Sequence, residues 1–239
     1  MISKNQIKYI RSLEHKKYRD KYGVFVAEGR KLIDDLRTHF DLADLYEGDD
    51  ACRASFQETP QGMLAIFRQA DDNAPEPFPE TELCLALDDI QNPGNMGTIL
   101  RTCDWMGVSQ VLCSRQTADC FAPKVVQATM GALAHLTVTY TDLPETLCQL
   151  RSEQGYAVLG TTLEGHDIYQ SAALADAEKV VLVMGNEGNG LTPAVRQCLD
   201  EQLLLPAYGA CHVESLNVAV ATAWVLAEYR RIHSSAITL

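Results

Sequence analysis

From Thr81 onward, short apolar runs alternate with longer segments of helical period, a pattern that few folds accommodate. The runs are LCLALDD, QVLCS, LTVTYTD, YAVLGTT, VVLVMG and QLLLPA. The helical segments are NMGTILRTCDWMG, PKVVQATMGALAH, LPETLCQLRSEQG, TPAVRQCLDE and SLNVAVATAWVLAEYRR. Strands that are apolar throughout are covered on both faces. The order therefore predicts an α/β domain, a parallel sheet between layers of helices.

Residues 1–70 have another character. IKYIRSL has helical spacing, YGVFVAEGRKLIDDLRTHF reads as a strand running into a helix, and LADLY and QGMLAIF are short strands, which together predict a small α+β domain. Between the two zones lies DDNAPEPFPE, with three prolines and four acidic residues in ten positions. Such a stretch excludes a helix or a central strand, so 71–80 is the expected linker and 81–239 the second domain.

The net charge of −12 argues against a nucleic-acid partner until its distribution is considered. Residues 1–31 carry nine Lys/Arg against Glu14, Asp20 and Glu28, a balance of +6; the remainder carries eleven against twenty-nine acids, a balance of −18. Segregation of this kind is either an anion-binding face on an acidic body or a solvated basic helix. Eight cysteines (Cys52, Cys84, Cys103, Cys113, Cys120, Cys148, Cys198 and Cys211) form no CxxC pair and no Cys/His cluster at zinc spacing. Most sit inside apolar runs and read as small buried hydrophobes of a reduced, cytoplasmic protein without a metal site. No apolar run approaches the roughly 20 residues of a membrane span, and the polar, basic N-terminus has no secretory h-region.

Three stretches carry candidate chemistry. In LDDIQNPGNMGTILRTCDWMGV a strand ends in acids, Pro93-Gly94 turns, and Asn95 stands where a helix N-cap belongs, with Arg101 six residues on. Both lie at a strand's carboxyl end, where α/β sheets bind ligands, although Asn95 as a plain cap and Arg101 paired with Asp88 or Asp89 would account for them equally. In VVLVMGNEGNGL a strand breaks into glycines, but the order is GxxGxG, no lysine follows, and Glu187 would repel a phosphate. A neutral or cationic ligand against exposed backbone suits this loop better than a dinucleotide. In LLLPAYGACHVESLNVAVATAWVLAEYRR, Ser215 can cap a long helix that is apolar nearly all round, as in a homodimer interface or in packing within one chain.

Taken in this order, the motifs resemble those of the SpoU (TrmH) family of RNA 2′-O-ribose methyltransferases, of the SPOUT superfamily. The resemblance rests on Asn95-x-Gly97-x-x-x-Arg101, on Gly185-Asn-Glu187-Gly-x-Gly190-Leu191, and on Leu205-Pro206 followed by Ser215-Leu-Asn217-Val218. It covers residues 83–231, and SLEHKKYRDKYGVFVAEGRKL is similar to the substrate-binding domain ahead of many ribosomal-RNA members. The resemblance implies a C-terminal trefoil-knot domain that dimerises through the knot and binds S-adenosyl-L-methionine, with contacts at Gly185, Leu205, Leu216 and Thr161. It implies that Arg101 activates the ribose hydroxyl or clamps a phosphate, and that Asn95, Glu187, Ser215 and Asn217 orient the ribose and Arg101. Lys8, Arg11, Lys16, Lys17, Arg19 and Lys21 are then expected to bind RNA backbone, ribosomal RNA above all. A transfer-RNA methyltransferase, an RNA-binding module without catalysis and a nicotinamide enzyme are the competing readings. The sequence departs from the family in a short stretch between Tyr46 and Thr59, in Gln127 where relatives often carry arginine, and in a long loop from Pro206 to Ser215.

Overall fold

The computed structural model describes residues 1–69, 81–210 and 212–233; the expected linker, 71–80, lies outside them. The first zone runs α1 (Lys4–Ser12), α2 (Lys16–Tyr22), β1 (Val24–Glu28), α3 (Arg30–Leu36), β2 (Leu42–Glu47), α4 (Gly48–Ala54) and β3 (Met63–Arg68). Its three strands form an antiparallel sheet in the order β1-β3-β2. A capping box starts α1: the Ser3 hydroxyl accepts from the Gln6 amide, and the Gln6 side chain accepts from the Ser3 amide. The helices α2 and α4 were not expected from the sequence. α4 occupies part of the stretch where the chain looked short, and α2, KKYRDKY, has no apolar period to announce it.

The second zone runs β4 (Leu83–Asp88), α5 (Pro93–Trp105), β5 (Gln110–Ser114), α6 (Pro123–Thr129), β6 (Thr137–Thr141), α7 (Leu143–Gln154), β7 (Ala157–Asp167), α8 (Ala172–Asp176), β8 (Val180–Gly185), α9 (Pro193–Arg196), β9 (Glu201–Leu204) and α10 (Val218–His233). All six expected strands are present and pair in parallel, in the order β6-β5-β4-β8-β7-β9. β4 and β8 are neighbours although five elements of helix and strand, α6 to α8, separate β5 from β8 in the chain. The sheet thus reverses its winding between them, and their carboxyl ends form the crevice where such sheets hold ligands.

Alternation along each strand divides the core. Leu83, Leu85 and Leu87 of β4, with Val180, Leu182 and Met184 of β8, face one cluster together with Ile99, Leu100, Val225 and Leu226 of α5 and α10. Cys84, Ala86, Val181 and Val183 face the other, with Leu147 and Leu150 of α7. The first cluster does not stop at the domain boundary: Phe25, Ala27, Met63, Ala65 and Phe67 of the N-terminal sheet belong to it. Phe121, in the loop before α6, packs with its ring centroid 4.8 Å from Phe25 and 6.2 Å from Phe40. Burying that surface holds the two sheets in one body. Gly97 permits the matching approach of α5 to α6, since a Cβ there would stand 2.4 Å from the Ala128 methyl and 2.9 Å from the Val125 carbonyl oxygen.

Two caps differ from expectation. Asn92, not Asn95, caps α5, its Oδ1 accepting from the amides of Gly94 and Asn95 at 2.8 and 3.2 Å. Asn217, not Ser215, caps α10, its Oδ1 accepting from Ala219 and Val220 at 3.0 and 3.3 Å. The expected helix PKVVQATMGALAH breaks where Met130 and Gly131 take positive φ and continues as a 3-10 turn. As for α10, most of its apolar face is used within the chain: Val218, Ala219, Val225, Leu226 and Tyr229 are buried, and Val220 is exposed.

Candidate active site

The site begins at the carboxyl ends of β4 and β8. Asp88 is buried and its Oδ2 accepts from the Thr192 amide at 2.6 Å, tying the end of β4 to the far side of the glycine loop. Asp89 follows in the left-handed region, φ 59°, and its carbonyl accepts from Asn186 Nδ2 at 2.8 Å. The oxygen of that side-chain amide, Asn186 Oδ1, accepts from the backbone amides of Gly188 and Asn189 at 2.9 and 3.1 Å. Asn186 and Gly190 exchange both backbone bonds, at 3.0 and 2.8 Å. The loop amides therefore point inward to one asparagine, the reverse of a phosphate cradle, which turns its amides outward.

The loop closes because residue 185 is glycine. A Cβ there would fall 2.5 Å from the Gly190 carbonyl carbon and 2.6 Å from the Leu191 amide nitrogen, backbone atoms that cannot step aside. Gly185→Ala is accordingly expected to pry the loop open. Isothermal titration with S-adenosyl-L-methionine should show at least a tenfold weaker Kd; unchanged affinity would separate the loop's closure from the cofactor.

With Asn92 as the cap, the side chain of Asn95 is released for other work. Its Nδ2 donates to Glu187 Oε1, and its Oδ1 accepts from Asn217 Nδ2 at 3.0 Å. Three segments, 92 and 122 residues apart from Asn95 in the chain, thus meet in one line of side chains, Glu187–Asn95–Asn217. Asn217 is oriented at the same time by the two amides of α10 that its Oδ1 holds. Thr161, half-buried on β7, stands beside β8 with its hydroxyl 3.4 Å from the Val183 carbonyl oxygen and 3.6 Å from Met184 Sδ. Thr161 pairs with Leu203 of β9, and Leu205 follows β9 directly, half-buried against the main core. Thr161, Gly185 and Leu205 therefore share the carboxyl edge of three adjacent strands, and Leu216 adjoins Asn217. Ser215 and Leu216 are exposed.

Arg101 is exposed on the outer face of α5 and has no hydrogen bond or ion pair among the described residues, so the pairing with Asp88 or Asp89 is not formed. From Asn95 it is about 9 Å along the helix and turned by about 120°. Of the basic residues, Lys8, Arg11, Lys16, Lys17 and Lys21 are exposed. Arg19 is not, and its expected RNA contact is corrected: only 2% of its side chain is accessible. Its Nη2 lies 2.5 Å from Asp119 Oδ2, and Nη1 donates to the carbonyls of Leu13 and Glu14 at 2.7 and 2.8 Å. With its donors directed into the protein, Arg19 has nothing to offer a phosphate. Sequence reasoning missed Asn92, Asn186 and Asp88, although an asparagine two or three residues ahead of glycine or of a helix start is a recognisable turn signal.

A family model described as the SpoU rRNA methylase family matches residues 82–227, well over half of the chain. The chain belongs to the SpoU rRNA methylase family. A second model, the MRM3-like substrate binding domain, matches residues 4–53. Among SpoU relatives, the 23S rRNA (guanosine(2553)-2′-O)-methyltransferase RlmP of Bacillus subtilis (strain 168) is 33% identical over 243 residues, covering 92% of this chain and 94% of the relative. A structure from Porphyromonas gingivalis, assigned to the TrmH family of RNA methyltransferases, superposes with a TM-score of 0.86 at 39% identity over 97% of this chain and 99% of that one. The AdoMet-bound rRNA methyltransferase from Sinorhizobium meliloti gives 0.83 at 30% identity, covering 98% of each chain.

Proposed function

We propose that the chain transfers a methyl group from S-adenosyl-L-methionine to a ribose 2′-oxygen of ribosomal RNA. The observation that carries this reading is the line Glu187–Asn95–Asn217, in which all three SpoU motifs converge beside a closed glycine loop. RlmP is named for 2′-O-methylation of 23S rRNA, and the Sinorhizobium meliloti relative is titled as AdoMet-bound. The cofactor suits a loop whose amides are turned inward and whose exposed acid, Glu187, tolerates a positive charge. Thr161, Gly185, Leu205 and Leu216 are the residues to hold it.

S-adenosyl-L-methionine supplies an electrophilic methyl on a sulfonium. The 2′-oxygen bonds to the methyl carbon in line as the carbon–sulfur bond breaks, the sulfur keeping the bonding pair as a neutral thioether, and the hydroxyl proton passes to solvent water. The protein's part is to align the two atoms and ease that deprotonation. Asn95, Asn217, Glu187 and Ser215 orient the ribose. Arg101, whose guanidinium is too basic to accept a proton, clamps the adjacent phosphate and stabilises the developing alkoxide. The offset between Arg101 and Asn95 supports a homodimer in which a second copy completes the site through the α5 face. Trp105, one turn beyond Arg101 on that face, is 87% exposed, an unusual state for tryptophan in a face without a partner. A knotted tail that brings Asn217 to Asn95, and a cytoplasmic setting, belong to the same reading.

Mapping 2′-O-methylation across total RNA with and without the protein tests the proposal. One ribosomal position should be lost, and loss confined to transfer RNA would refute the substrate assignment. Lys8, Arg11, Lys16, Lys17 and Lys21 deliver the RNA electrostatically. Changing Lys8, Lys17 and Lys21 to Gln should reduce the slope of log affinity against log salt by about 2 for a single-stranded target, with S-adenosyl-L-methionine affinity unaltered.

A further inference from the structure

A cavity of about 490 Å³ opens between the N-terminal domain and the starts of α5 and α6. That is within the roughly 300–1,000 Å³ of small-ligand sites. Glu28, Phe56 and Gln57 line it from one side; Pro93, Lys124 and Gln127 line it from the other. None of these side chains belongs to the line through Asn95. Glu28 is a buried carboxylate, 6% exposed, at the end of β1. Both its oxygens are held: Oε1 accepts from the Phe56 amide at 2.7 Å and Oε2 from the Ser55 hydroxyl. A carboxylate has about four lone-pair sites, so each oxygen retains one for a ligand. Phe56 supplies an aromatic surface to the cavity, and the Arg11 guanidinium stands 5.6 Å from the centre of its ring. Gln57 Nε2 donates to Gln127 Oε1 at 2.9 Å, joining the two sides of the cavity wall.

We infer that this cavity receives the guanine base of a nucleotide neighbouring the methylated one, with Glu28 accepting from its N1–H and exocyclic amino group. The inference rests on the proposed RNA methyl transfer and adds to it the reading of a flanking base. The chemistry selects guanine: an acceptor-only carboxylate needs two adjacent donors, and among the four bases only guanine presents a ring N–H beside an amino group on its pairing edge. Geometry selects a neighbour rather than the target. Pro93 faces the cavity and Asn95 faces Glu187 and Asn217, and residues two apart on a helix point about 200° apart. A strand crossing the first turn of α5 would put one ribose on the Asn95 side and the next base on the Glu28 side. Its connecting phosphate would pass the positive end of the α5 dipole, near the exposed Lys124.

The test is fluorescence anisotropy of the full chain with labelled RNA nonamers, all uridine but for one central guanosine or one central inosine, which lacks the amino group. The guanosine strand should bind about tenfold more tightly, the worth of one bond to a charged acceptor. Glu28→Gln should erase that ratio, as should Phe56→Leu and Gln57→Ala in part, with cofactor affinity and thermal midpoint monitored alongside. Should Glu28→Gln fail to fold, the latter two variants decide. A ratio of one in the native protein, or an unchanged ratio in the variants that fold, overturns the inference. Asn95→Ala separates the two readings: it should abolish methyl transfer and leave the guanosine-to-inosine ratio untouched.

Discussion

Replacing Arg101 with alanine should lower single-turnover methyl transfer by at least a hundredfold while leaving both the thermal midpoint and the affinity for S-adenosyl-L-methionine where they are. The first half follows from what a guanidinium does beside a developing alkoxide. Removing one preorganised donor from such a site costs about 10²–10³ in rate, because the negative charge then forms without a fixed partner. The second half follows from the place of the side chain. Arg101 is exposed on α5 and holds nothing among the described residues, so its loss leaves no orphaned acceptor and no cavity. Arg101→Lys sharpens the test. It keeps the charge but replaces a planar fork with a point charge, so a bidentate phosphate clamp should recover no more than about a tenth of the rate. Equal turnover by Arg101→Ala would remove the residue from the mechanism. Full recovery by lysine would keep the charge and discard the fork.

The six strands of the second zone were legible because a strand covered on both faces must be apolar along its whole length, and β4 and β8 are. The convergence of Asn95, Glu187 and Asn217 came from the resemblance, not from the spacing. Nothing local tells residues 92 and 122 positions apart that they will touch. The caps were misjudged for a related reason. Asn92 and Asn95 are both competent to cap α5, and Ser215 and Asn217 both to cap α10. Which one does so is decided by which side chain a distant segment claims. Asn95 is claimed by Glu187 and Asn217, so Asn92 caps. Asn217 does both, one end of its amide on α10 and the other on Asn95, and Ser215 is left to solvent. The basic run hid the opposite case. Six cations in KYIRSLEHKKYRDK look alike in sequence, and only the counter-ion a hundred residues away distinguishes the one that is buried.

That counter-ion sets the largest expected effect on stability. Asp119→Ala should destabilise the protein by about 3–5 kcal/mol, read as a lower denaturant midpoint, because it strands the Arg19 guanidinium in a site from which water is excluded. The pair is 2% and 10% exposed, and Asp119 Oδ2 accepts from both Nε and Nη2 while its Oδ1 accepts from the Phe121 amide at 2.9 Å. Deleting the aspartate therefore also releases the loop that carries Phe121 into the aromatic contact with Phe25 and Phe40. The double variant Arg19→Met, Asp119→Leu should regain most of the loss, since it removes the buried charge along with its partner; a double variant no better than Asp119→Ala would assign the stability to the hydrogen bonds of Arg19 with Leu13 and Glu14 instead. Arg19 and its neighbours then separate by experiment. Arg19→Met should move the unfolding midpoint and leave the salt dependence of RNA binding unchanged, and Lys17→Gln should do the reverse. If Arg19→Met flattened the salt dependence in the folded protein, the guanidinium would have to leave Asp119 to meet RNA, and the ion pair would be a latch rather than a fastening.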